Sequence, residues 1–170
     1  MDQEDQVKEW YELYSQHVYQ FLVYYNRTDD VDDLVQEVFI RAWKHAPSFK
    51  GKASPKTWLF SIARRVSIDR YRKKKWERLI DRGESHDVGL SPEDIVLNKE
   101  EDQRLYQAIN SLKTKYREVV ICRGILELST RETADVLRWS TSKVDTTFYR
   151  AKEKLASVMD ERGMKYARSQ

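Results

Sequence analysis

A chain of 170 residues with 31 Lys/Arg against 28 Asp/Glu, net charge +3, has room for one ordinary domain or two small ones. Charged residues at 35% beside hydrophobic residues at 40% exclude a disordered chain and suit small helical bundles with highly charged surfaces. Five Gly and three Pro exclude a turn-rich β architecture, and no apolar run approaches the roughly 20 residues that cross a bilayer. The acidic start, MDQEDQVKEW, is unlike a signal peptide, and Cys122, the single cysteine, can form no intramolecular disulfide. A cytoplasmic, reducing setting is expected.

The first predicted helix covers residues 5–25, with Val7, Trp10, Leu13, Tyr14, Val18, Phe21 and Leu22 on its buried side. Asn26, Arg27 and Thr28 break it. Asp29 or Asp30 is then positioned to cap a second helix over 31–45, whose core stripe is Leu34, Val35, Val38, Phe39 and Ala42. Ala46-Pro47 ends it, and Ser54-Pro55 supplies a cap and first residue for a third helix.

That third helix carries Trp58, Leu59, Ile62, Ala63 and Val66 as one apolar stripe, with Ser61, Arg64, Arg65, Ile68, Arg72 and Lys75 along another flank. The aromatics Trp58, Phe60 and Tyr71 stand among the charges, a mixture that can stack bases while neutralising phosphates. Taken alone, the segment is equally an ordinary amphipathic helix with a solvated basic face. Residues 64–82 hold nine Lys/Arg against three Asp/Glu, whereas residues 83–102 hold seven Asp/Glu against Lys99. Gly83, Gly89 and Ser91-Pro92 mark a polar linker between the two halves.

In the second half a helix restarts at Ser91 and reaches Asn110, and another covers 114–127. Ser129 and Glu132 have capping-box spacing. Ala134, Val136 and Leu137 pack a short helix, Arg138 occupies a turn where a positive φ favours glycine, and a further helix points Val144, Phe148, Ala151 and Leu155 inward. Its outward set is Lys143, Thr146, Thr147, Tyr149, Arg150 and Lys152. Two short helices around a tight turn form a helix-turn-helix, whose second helix enters a DNA major groove. An outward Asp145 must there meet a base donor, a neighbouring cation or solvent.

The expected fold is all-α: a three-helix domain over 1–82, a flexible linker over 83–98 and a four-helix helix-turn-helix domain over 99–170. His17, His45, His86 and Cys122 lack metal-ligand spacing, and no Gly-rich phosphate loop or nucleophile elbow occurs. No cofactor, metal or enzymatic activity is expected.

Four segments in colinear order resemble an extracytoplasmic-function sigma factor of bacterial RNA polymerase: residues 30–39 (DVDDLVQEVF), Phe49-Lys50-Gly51 with Thr57-Trp58-Leu59 and Ile62-Ala63-Arg64, residues 68–72 (IDRYR), and residues 128–151 with Ser129, Glu132, Ala134, Ser140, Val144 and Arg150-Ala151. The resemblance implies a factor that binds core polymerase at the β′ clamp helices and β flap and directs it to promoters. Asp33, Gln36, Glu37 and Arg41 would dock on the clamp helices. Lys50, Gly51, Lys52 and Ser54 would form the loop that captures a flipped −10 base, with Trp58, Arg64, Arg65, Asp69 and Arg72 on the single-stranded −10 element. Thr146, Tyr149 and Arg150 would read duplex −35 bases, with Lys143, Thr147 and Lys152 on phosphates. The acidic linker would thread the RNA path, and an anti-sigma factor would cover these surfaces.

Three departures qualify what transfers. Arg65 stands where the family often has Asn, Thr133 where it has an aliphatic residue, and Arg138-Trp139 where it has a Gly-aliphatic pair. Two other readings of the residues are a conventional helix-turn-helix repressor or activator, which binds duplex DNA tightly without polymerase, and a protein-only adaptor.

Overall fold

Asp2 caps the first helix of the computed structural model, which describes residues 2–81 and 100–167, the side chains of 100, 101 and 162–167 excepted. The Gln3 N–H donates to Asp2 Oδ1 at 2.6 Å, and α1 (Gln3–Asn26) continues until Arg27 turns left-handed at φ 59°. Val7, Trp10, Val18, Phe21 and Leu22 are buried as the periodicity predicts. Leu13 is not: it is exposed, because it lies one position off the ridge that runs through Trp10, Tyr14 and Val18.

Helix α2 (Asp32–His45) buries Leu34, Val35, Val38, Phe39 and Ala42, but neither predicted aspartate caps it. Val31 takes the cap position with no side-chain bond. Its N–H donates to the Asp29 carbonyl at 2.9 Å, while the Asp30 N–H donates to Thr28 Oγ1 at 3.1 Å. Val31 is fully buried, so core packing fixes the entry to α2 and turns the aspartates away from it. A 3₁₀ turn (Ala46–Ser48) ends the helix.

Helix α3 (Pro55–Ile80) starts as the sequence predicts, with the Thr57 N–H donating to Ser54 Oγ at 3.1 Å. Leu59, Ile62, Ala63 and Val66 are buried against α1 and α2. Phe60 joins them and does not stand among the outward aromatics: it is fully buried, stacked on Phe21 with ring centroids 5.5 Å apart. Burying such a ring stabilises the unit by about 1.5–3 kcal/mol. Asn26 pins the chain end of α1 to α3, its Nδ2 donating to Ser67 Oγ at 2.9 Å.

These helices belong to the first of two compact units, Met1–Asp94 and Ile95–Gln170. The expected linker 83–98, and the expected helix start at Ser91, lie outside the described residues. The second unit contains α4 (Glu100–Ser111), α5 (Thr114–Val120), α6 (Thr130–Leu137) and α7 (Thr141–Ala167). Among the described residues there is no strand.

The helix expected over 114–127 is α-helical only to Val120. It then widens into a π turn (Ile121–Ile125), in which the Leu126 N–H donates to the Ile121 carbonyl at 3.0 Å. Glu127 turns left-handed at φ 53°, which redirects the chain toward α6. The capping box is present: the Glu132 N–H donates to Ser129 Oγ at 3.1 Å, and the Ser129 N–H to Glu132 Oε2 at 2.7 Å. Arg138 adopts the predicted left-handed conformation, φ 58° and ψ 43°, at a cost of about 1–2 kcal/mol for a residue with a Cβ.

Thr133 is fully buried, and its Oγ1 has no hydrogen-bond partner. The hydroxyl therefore carries an uncompensated desolvation penalty of about 1–3 kcal/mol. Thr133→Val preserves the shape and removes the polar atom, so the variant is expected to be about 1 kcal/mol more stable in denaturant titration; an unchanged or lower midpoint contradicts the account.

Candidate functional site

The residues expected on one exposed face of α2 point two ways. Asp33, Glu37 and Arg41, spaced i, i+4 and i+8, form a ridge that meets α3. Arg41 lies at its centre. Nε donates to Glu37 Oε1 at 2.7 Å, and Nη1 donates to Asp69 Oδ2 of α3 at 2.7 Å. These two carboxylates hold the guanidinium pKa above its ordinary value, Asp69 contributing more than Glu37. Arg70, which sequence reasoning missed, adds a second link from α3: its Nη1 donates to the Asp30 carbonyl at 3.3 Å and lies 3.7 Å from Asp33 Oδ1. Gln36 instead edges an apolar groove of about 720 Å³ between α1 and α2, floored by Val7, Tyr11, Phe39, Ile40 and Trp43.

The Arg41 bridge joins a residue expected at polymerase to one expected at DNA. The side chains are a third to a half exposed, so water and salt screen the pair. A double-mutant cycle of Arg41→Met and Asp69→Asn is expected to give a coupling of about 0.5–1 kcal/mol at low salt. It should shrink as salt rises; a coupling near zero at low salt removes the bridge as a link between α2 and α3.

The loop before α3 is anchored by three aromatic rings. Trp10 is edge-on to Phe49 at 5.3 Å and to Trp58 at 5.6 Å, and Phe49 lies 5.0 Å from Trp58. Lys50, Gly51 and Lys52 project from this anchor into solvent, Gly51 at φ +67°. The Ser54 hydroxyl is engaged as the α3 cap and donates to Thr57 Oγ1 at 2.9 Å. Trp58 is half-buried in the ring cluster, so it supports the loop from beneath. Arg65 and Arg72 are exposed on α3, Arg64 is half-buried, and Asp69 is held by Arg41.

On α7, Lys143, Thr146, Tyr149 and Arg150 share the outward face. Two members of the expected set do not join them. Thr147 is buried beside Val144 and Ala151, since its i+3 and i+4 spacing from those residues places it on the inward stripe. Lys152 lies on the opposite flank, its Nζ 4.9 Å from the Phe148 ring centroid. Lys143 Nζ sits 4.2 Å from the Trp139 ring, so the residue that replaces an aliphatic in the turn steadies a cation at the helix start. Asp145 is exposed to solvent, one of the three expected settings, and its Oδ1 also accepts from the Thr130 hydroxyl at 2.8 Å, which ties α6 to α7.

Comparison with known proteins follows this division. The Sigma-70 region 2 family model matches residues 10–77, and the Sigma-70 region 4 model matches residues 102–155. The ECF RNA polymerase sigma factor SigX of Bacillus subtilis is 37% identical over 158 residues, covering 88% of this chain and 81% of that protein. The chain belongs to the extracytoplasmic-function sigma factors of the sigma-70 family. A second relative, the ECF sigma factor SigW of Bacillus subtilis, is 33% identical over 157 residues, covering 85% of this chain and 83% of that protein.

Solved structures agree on the fold. CnrH, captured with the cytosolic domain of CnrY, is 25% identical with a TM-score of 0.69, covering 93% of this chain and 90% of that one. RpoE of Bartonella quintana, captured with the anti-sigma factor NepR, is 24% identical with a TM-score of 0.76, covering 90% and 96%. As a sigma factor, the chain is a transcription-initiation protein that directs core RNA polymerase to promoters. Among the described residues no three His, Cys, Asp or Glu side chains gather into a metal site, and no helix is long and apolar enough to cross a membrane.

Proposed function

We propose that residues 1–82 form the unit that docks on the β′ clamp helices through Asp33, Gln36, Glu37 and Arg41 and opens the −10 element, that 83–98 tether it, and that 99–170 read the −35 element and meet the β flap. Lys50, Gly51, Lys52 and Ser54 would border a flipped −10 base, whose capture offsets the unstacking of the duplex. Trp58, Arg64, Arg65, Asp69 and Arg72 belong to the same surface, with Asp69 screened from phosphate by Arg41. On α7, Thr146, Tyr149 and Arg150 face the −35 bases and Lys143 a phosphate; Lys152 can reach only the flanking backbone, and Thr147 acts in packing.

The observation that carries this reading is the placement of two cationic helix faces, on α3 and on α7, in two units that each match a different sigma region. The factor makes and breaks no bond; it acts by binding open promoter DNA more tightly than closed. It works in the cytoplasm beside polymerase. RpoE and CnrH are each held by a partner in their solved complexes, and an anti-sigma factor is proposed for this chain as well.

Purified protein added to core polymerase and genomic fragments should create new RNA 5′ ends. Absence of new starts sinks the reading. Tight binding of the free protein to duplex operators, without new starts, would favour a conventional repressor.

A further inference from the structure

Asp145 is the acidic member of a basic helix face. At about 100° per residue along α7, it and Arg150 stand about 70° to either side of the direction shared by Ser142, Thr146 and Tyr149, so the two border the outward face. All five side chains are exposed. Nothing on the helix neutralises the carboxylate. Among the described residues no Lys or Arg pairs with Asp145, and Lys143, the nearest cation in sequence, sits 4.2 Å from the Trp139 ring instead.

A carboxylate so placed opposes the approach of DNA unless a donor on the bases meets it. Thr130, the first residue of α6, supplies the geometry. Its hydroxyl donates to Asp145 Oδ1 at 2.8 Å, which holds the carboxyl group in one orientation and leaves Oδ2 for a second donor. In the major groove the donors are the amino groups of cytosine and adenine, whereas guanine and thymine present only acceptors and a methyl group. Cytosine fits better than adenine, whose N7 lone pair lies beside its amino group and would oppose the carboxylate.

We propose that Asp145 is a specificity-determining residue of the second unit, its Oδ2 accepting a hydrogen bond from the N4 amino group of one cytosine in the −35 element, with Thr130 as the positioning residue that aims it. The inference rests on the sigma-factor reading above and deepens it by naming a base. Selection here works largely by exclusion, since the carboxylate repels O6 and N7 of guanine and O4 of thymine. Arg150 follows Asp145 by five residues, about 7.5 Å along the helix or about two base-pair steps. The cytosine should therefore lie within about three base pairs of the base that Arg150 reads.

The test measures transcription by holoenzyme, native or variant, from a promoter found by start-site mapping, with each −35 base pair changed in turn to the other three. Native holoenzyme should prefer cytosine, on one strand at one position, by about fivefold or more. Asp145→Ala should bring the four bases at that position to within about twofold of one another while the other positions keep their preferences. Asp145→Asn, which can still accept from Thr130, should move the preference to adenine, whose N6 and N7 match a side-chain amide. Thr130→Val keeps the shape without the hydroxyl and should weaken the cytosine preference without replacing it. The proposal is overturned if Asp145→Ala abolishes a cytosine preference at no position. It is also overturned if Asp145→Ala and Thr130→Val lower transcription alike on every template, which would make the pair only a tie between α6 and α7. Native holoenzyme that yields no start sites at the mapping step would instead refute the sigma reading, and this role with it.

Discussion

Trp10→Ala is expected to destabilise the first unit by about 3–5 kcal/mol, the usual cost of removing a buried large aromatic. Trp10 is only 5% exposed and touches both Phe49 and Trp58 edge-on, so its loss opens a cavity under the loop of Lys50, Gly51 and Lys52. Thermal unfolding of the chain should show the transition of the first unit moving sharply down while that of the second stays in place, because each unit is compact with a core of its own. A milder change, Phe49→Leu, keeps the core filled but removes the edge-on ring that fixes the loop. It should lower promoter opening more than it lowers stability. If both variants leave the first transition where it was, the ring cluster is not what holds the loop.

The second large effect is on the other unit. Arg150 is exposed on the outward face of α7, so Arg150→Ala leaves packing intact. A bidentate contact to guanine is worth about 1–3 kcal/mol, roughly 5- to 150-fold in binding. Transcription in vitro from a promoter that needs its −35 element should therefore fall by that factor. Binding of core polymerase should be unchanged, and substituting the base contacted by Arg150 should cost the variant nothing further. A variant that transcribes at the native level removes Arg150 from the base-reading set.

Much of this architecture was legible in the residues themselves. Ser54-Pro55, the Ser129–Glu132 box and the core stripe of α2 each rest on local chemistry, and local chemistry is written in adjacent positions. What escaped reading depends on contacts made across the fold. The capping aspartates of α2 were displaced by the burial of Val31, and Phe60 was drawn inward by Phe21, 39 residues earlier in the chain. Thr147 looked outward by its chemistry, yet its spacing from Val144 and Ala151 already placed it inside. The Arg41–Asp69 link spans 28 residues and joins two segments whose roles look unrelated in sequence. Arg70 carried no signal beyond its charge, and only the fold sets it beside Asp33.

The distribution of the five tryptophans gives the protein built-in optical reporters. Trp10, buried, and Trp58, half-buried against it, should emit at shorter wavelength than Trp43 and Trp76, which are both more than half exposed and should emit like free indole. The second unit holds Trp139 alone, beneath the Lys143 ammonium. Unlabelled protein in which Trp43 and Trp76 are replaced by Phe would then follow melting of the first unit through the blue component. Occupancy of α7 by DNA would be read through Trp139, as a phosphate draws the lysine off its ring.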